Sequence, residues 1–118
     1  GVHIRRSDNK LATQKSPLPA FVEMMKFEKR KHKKLNFFLS TDSPDAEKYI
    51  IDHFPGDIIV YNKELRRDKE DGIKDALVDM LCLSKTSKII GSYWSSFSEI
   101  AAEMGDIPLT VAGNTKSQ

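Results

Sequence analysis

Cysteine is nearly absent. Cys82 is the only one in 118 residues, so no internal disulfide can form and a structural zinc site built from thiolates is excluded. It sits in the apolar run ALVDMLCLS and reads as a small buried hydrophobe. Nothing in the sequence approaches the roughly 20 consecutive apolar residues that span a bilayer, and no charged-then-apolar signal opens it. A cytoplasmic setting is the expectation. The first residues already read as strand with no lead-in, which points to a piece of a longer protein.

Glycine motifs for phosphate are missing too. Neither GxxxxGK[ST] nor GxGxxG occurs, which argues against a P-loop nucleotidase and a standard dinucleotide fingerprint. His3, His32 and His53 are scattered, so a metal site has no support. Nineteen basic against seventeen acidic residues leave a formal charge of +2, too little to argue for a polyanion partner. The run KFEKRKHKK reads as the solvated end of a helix and lacks the aromatic interleaving of a nucleic-acid reader. Any anion site must come from local placement.

What is present is the profile of one soluble domain, 39% hydrophobic and 31% charged, with no internal repeat. Short β-branched or aromatic runs at 2–5, 35–40, 57–61, 88–91 and 107–112 read as buried strands. Between them lie segments of helical period. PAFVEMMKFEKRKHKK carries Phe21, Met24 and Met25, and SPDAEKYIIDHF opens with Ser43 as N-cap and Pro44 in the first turn. EDGIKDALVDMLCLSK places Ile73, Ala76, Leu77, Met80 and Leu81 on one stripe; SFSEIAAEMG places Phe97, Ile100 and Ala101 on one face and stops at Gly105. Strict β-α alternation predicts a five-stranded parallel sheet covered by helices on both faces. The domain is expected over 1–112, with 113–118 a disordered tail.

Right-handed crossovers open every strand's carboxyl end on one edge, where ligands of such sheets bind. That edge gathers 5–18, 41–43, 62–70 and 91–96. Arg5 and Arg6 follow the first strand directly, with Ser7, Asp8 and Asn9 beyond them. A guanidinium fork matches phosphate oxygens in geometry and charge; the alternative is an ion pair with Asp8 or Asp42. Gly91 allows a tight turn, and Ser92, Ser95, Ser96 and Ser98 crowd a helix start whose free N–H groups favour an anion. One of these serines is expected to cap that helix. Asp75 and Asp79 share a helical face: such a carboxylate either suits the helix dipole, the simpler reading for Asp75, or accepts the paired donors of a guanine edge. His3, without a partner carboxylate nearby in sequence, reads as a packed strand residue rather than a general base.

VHIRRSDNK resembles the HxRR signature of the fucosyltransferase superfamily that includes α1,6-, nodulation and protein O-fucosyltransferases. FFLSTDSPDAEKYI and DALVDMLCLSKTSKIIGSYWSSFSEIAAEMG resemble its second and third conserved regions, in order and at plausible spacing. The resemblance implies the Rossmann-like, nucleotide-binding half of a GT-B glycosyltransferase, inverting and metal-independent, with no cofactor and GDP-fucose as donor. It implies that Arg5 and Arg6 hold the donor pyrophosphate and assist its departure, with His3 beside the nucleotide. Asp42 then lies near the donor, Asp79 faces guanine, and Ser95 and Ser96 lie on the phosphate side.

Two departures stand out. Where the α1,6 enzymes carry a glutamate proposed as base, this sequence reads LATQK, with Thr13 or Gln14 in place of an acid. The N-terminal, acceptor-side half is missing, so weak GDP binding and little transfer are expected of this chain alone. The acceptor, glycan or protein, is not readable. The competing reading is a non-catalytic, doubly wound module whose edge binds a phosphorylated metabolite or a protein partner.

Overall fold

The five predicted strands all form, each trimmed or shifted by a residue or two. The structure, a computed structural model, describes residues 1–6, 10–61, 69–93 and 95–113. Strands β1 (Val2–Ile4), β2 (Phe37–Thr41), β3 (Ile58–Val60), β4 (Ile89–Gly91) and β5 (Leu109–Val111) pair in parallel in the order β3-β2-β1-β4-β5. The helices are α1 (Lys10–Lys15), α2 (Leu18–Lys31), α3 (Pro44–His53), α4 (Lys69–Ser84) and α5 (Ser96–Gly105). The fold is α/β, with a Rossmann-like, all-parallel sheet flanked by helices. Ser7, Asp8 and Asn9, residues 62–68 of the third loop, and 114–118 of the expected tail lie outside the described residues. No described helix is long and apolar enough to cross a membrane.

Strand alternation sends successive side chains to opposite layers. Val2, Ile4, Phe37, Leu39 and Ile90 join Phe21, Val22 and Met25 of α2 and Ala46, Ile50 and Phe54 around α3. On the other face Ile89 joins Leu83 of α4 and Ala101 and Ala102 of α5, with Phe38, Phe97 and Leu109 packed around them. The second layer also buries polar groups, because β1 and β2 present His3 and Ser40 to it in register.

That polarity decides how α4 is turned. The stripe expected in the core faces solvent instead: Ile73 is 64% exposed, Leu77 54% and Leu81 43%, and Ala76 is exposed as well. The inward row is Asp79 and Leu83, with Asp75 and Met80 half-buried. A buried hydroxyl on β2 requires a polar partner, and the Asp79 carboxylate accepts from Ser40 Oγ at 2.7 Å.

Helix α3 starts as expected: Ser43 Oγ accepts the Ala46 N–H at 3.1 Å, and Pro44 stands in the first turn. Helix α1 lies within the 5–18 connection, where the sequence shows no helical period. It is six residues long and buries only Ala12, so there is no apolar repeat for periodicity to detect. Gly91 does not take the left-handed backbone that a tight turn would need. It is glycine because a Cβ there would lie 2.7 Å from Ser98 Oγ, so α5 can press against the end of β4.

Candidate functional site

The chain builds the sheet outward from β1 to β3, then returns past β1 to add β4 and β5. The carboxyl ends of β1 and β4 therefore flank the point where strand order reverses, the place where open α/β sheets hold ligands. Arg5 and Arg6 leave β1 on one side of it; Ser92, Tyr93, Ser95 and Ser96 lead from β4 into α5 on the other.

The exit of β1 is braced on both sides by side chains that continue the ladder after the strands stop. Toward β4, Ser92 Oγ donates to the His3 carbonyl at 3.2 Å and accepts the Arg5 N–H at 2.9 Å. Toward β2, Thr41 Oγ1 donates to the Ile4 carbonyl at 2.7 Å, and Asp42 Oδ1 accepts the Arg6 N–H at 2.8 Å. The aspartate of the TD pair thus grips the Arg6 backbone while its residue stays exposed. Two successive arginines are held at a fixed exit angle, the preorganisation a charged ligand requires.

The two guanidinium groups have different surroundings. Arg6 donates from Nη2 to the Ser16 carbonyl at 2.8 Å and from Nη1 to the Arg5 carbonyl at 3.4 Å, and lies 5.9 Å from the Phe21 ring centroid. Burial lowers its pKa and Asp42 opposes that, but a guanidinium stays charged regardless. Part of its donor fork is thereby committed to the α1–α2 junction. Arg5 is half-buried at the crevice itself.

His3 is 7% exposed and stacks on Phe97, ring centroids 4.7 Å apart and planes 22° from parallel. Its Nδ1 is buried with no hydrogen-bond partner. Burial pushes its pKa down to about 4, with Asp42 pulling it up and Arg5 pushing it further down. The ring is neutral at pH 7, a packed residue in contact with α5. The linkage has a definite sign: the unfolded chain takes up a proton near 6.5 while the folded one resists it down to about 4. Stability from this group is complete above pH 6.5 and is lost as pH falls through that window. Between pH 7 and 5.5 it amounts to about 1 kcal/mol. Urea unfolding at those two pH values is expected to show that loss and His3→Phe to lack it; parallel pH slopes in the two proteins would contradict the assignment.

Ser95 occupies the N-cap position of α5, but its side chain makes no cap hydrogen bond, contrary to the expected role for one of the serines. Its hydroxyl is buried with no hydrogen-bond partner. Ser98 Oγ instead donates to the Ser95 carbonyl at 3.2 Å, and Ser96 is exposed in the first turn. Asp79 is 4% exposed and lies below the crevice beside Ser40.

The structure thus brings Arg5, Arg6, His3, Asp42, Ser92, Tyr93, Ser95 and Ser96 to one edge, with Asp79 beneath them. Three contributors were not singled out in the sequence: Ser16, Thr41 and Ser40. Ser16 has no motif around it and Ser40 sits unmarked within FFLSTD, so only a loop closure or a strand register reveals what they touch. Among the described residues, no group of three or more His, Cys, Asp or Glu could hold a metal ion. A cavity of about 630 Å³ opens at the opposite edge, among Gly1, Leu35, Phe37 and Lys88, away from these groups.

No protein-family model matches the chain, and no curated protein matches it significantly. Solved structures do match. A structure of NodZ alpha-1,6-fucosyltransferase soaked with GDP-fucose is 28% identical, with a TM-score of 0.54 over 88% of this chain and 34% of that one. The fold is fucosyltransferase-like. The same enzyme co-crystallized with GDP matches at 29% identity and a TM-score of 0.53, covering 86% of this chain and 33% of that one. Its selenomethionine form, from Bradyrhizobium, matches at 26% identity and 0.53, with the same coverage of 86% and 33%. The chain spans about a third of the length of these fucosyltransferase structures.

Proposed function

We propose that this chain is the donor-binding part of a fucosyltransferase-like glycosyltransferase of GT-B type, holding a GDP-sugar such as GDP-fucose in the crevice between β1 and β4. One observation carries the reading. Two braced arginines and the start of α5 flank the reversal point of a fold whose solved counterparts include a fucosyltransferase soaked with GDP-fucose and one co-crystallized with GDP.

In this reading Arg5 and the remaining donors of Arg6 neutralise the diphosphate, joined by Ser95, Ser96 and the N–H groups opening α5. His3 lies beside the nucleotide, Asp42 fixes the Arg6 backbone near the donor, and Asp79 is assigned to guanine. As the sugar–phosphate bond breaks, charge grows on the departing diphosphate. Fixed guanidinium groups and a helix terminus stabilise it without a metal, leaving the opposite face of the sugar to an acceptor and giving inversion. The second wall of the cleft and the acceptor base come from polypeptide beyond this chain, which alone binds GDP weakly and transfers little. A cytoplasmic setting belongs to the same proposal.

Calorimetric titration of the chain with GDP, GDP-fucose and ADP, with and without a chelator, tests this. GDP is expected to bind better than ADP by about tenfold, the worth of one well-made hydrogen bond to the base, and to be indifferent to the chelator. Equal binding of ADP and GDP would contradict the guanine assignment and favour a general phosphate-binding module.

A further inference from the structure

We infer that Ser16 is a positioning residue for the donor site, locking together the segments that leave β1, β4 and β5; only the identity of the ligand rests on the nucleotide reading above. Ser16 stands between α1 and α2 and is 0% exposed. Its hydroxyl donates to the Ala112 carbonyl, just past β5, at 2.7 Å, and accepts the Tyr93 N–H, just past β4, at 2.8 Å. Its carbonyl accepts Arg6 Nη2, just past β1, at 2.8 Å, and its own N–H closes α1 onto Ala12 at 2.9 Å.

One small residue therefore joins three separate exits from the sheet. The junction is close-packed from a further direction: Gly113, at φ +81°, passes so near the Lys15 carbonyl that any Cβ would collide with it. A hydroxyl is the group the site requires, because it must donate to one backbone carbonyl and accept from one backbone amide at once. Alanine removes both bonds, one of them buried. The consequence reaches the ligand because the segments joined are the two arms of the crevice. Tyr93 leads into Ser95 and the start of α5, while Arg6 carries the guanidinium on the facing side. Loosening the joint changes the spacing of groups that must meet one diphosphate together.

The test compares Ser16→Ala with Thr86→Ala. Thr86 lies at the opposite edge and its hydroxyl donates to the Leu83 and Lys88 carbonyls, so its loss is a matched structural injury away from the crevice. Both variants are expected to lose stability in urea. Only Ser16→Ala is expected to weaken GDP binding, by about tenfold, and to speed exchange of the Tyr93 amide by at least about tenfold. Equal GDP affinity in the two variants overturns the inference. Should Ser16→Ala not fold, the unaltered chain still decides: a Tyr93 amide exchanging at the rate of an open loop overturns it, and a protected one supports it. Failure of the unaltered chain to bind GDP would remove the nucleotide reading, while Tyr93 exchange would continue to report on the joint.

Discussion

Arg5→Ala is expected to weaken GDP binding about a hundredfold, because a charge-assisted contact to phosphate contributes about 1.5 to 3 kcal/mol. The Arg5 bond that braces β1 is made by its backbone N–H to Ser92, which alanine keeps. Arg5→Lys retains the charge but loses the planar fork and should fall between the two. Arg6→Ala behaves differently. Its guanidinium holds the Ser16 carbonyl and lies over Phe21, so the variant loses stability along with affinity. Calorimetry with GDP, paired with urea unfolding of each variant, resolves both axes. Full affinity in Arg5→Ala would mean that the crevice does not hold a diphosphate at this point.

Gly105→Ala is expected to be the most damaging single methyl in the chain, costing about 4 kcal/mol, a large part of the stability of a domain this size. The added Cβ would sit on the backbone carbonyl of Ser84, at the end of α4, where no side chain can swing aside. Helices α4 and α5 cross there at backbone contact. Together they cover the face of the sheet that carries His3 and Ser40, with Asp79 of α4 bonded to Ser40 between the layers, so separating the helices also unseats Phe97 from His3. Gly72→Ala, at a glycine with nothing within 4 Å, is the control and should stabilise the helix by up to about 1 kcal/mol. Chemical denaturation of the two variants measures the contrast. Comparable stability in Gly105→Ala and the unaltered chain would mean that the helices do not approach as described.

The architecture was legible because it is written in repeating patterns. Five short β-branched runs alternate with amphipathic segments, and parallel strands buried on both faces leave that trace. The edge location followed from topology alone, which is why Arg5, Arg6, Asp42 and the serines after β4 fall together. Details of a different physical kind were not legible. The rotation of α4 differs from the expected one, since hydrophobicity favours Ile73, Leu77 and Leu81, whereas the buried Ser40 hydroxyl on a distant strand selects Asp79. Helix α1 is too short to show a period, and the Ser16 junction depends on bonds to residues 77 and 96 positions away in sequence, which no local signal encodes. One of the four serines is expected to cap α5; Ser95 takes the N-cap position, but its hydroxyl is buried without making that bond. Gly91 was expected at a turn and is instead a packing glycine.

The most direct measurement is residue-resolved NMR of the chain titrated with GDP. The account predicts that amide resonances of Arg5, Arg6, Tyr93, Ser95 and Ser96 shift together and saturate at one concentration, while those of Leu35, Ser87 and Lys88 at the opposite edge stay still. Shifts confined to the opposite edge, or spread evenly over the surface, would contradict a nucleotide site between β1 and β4.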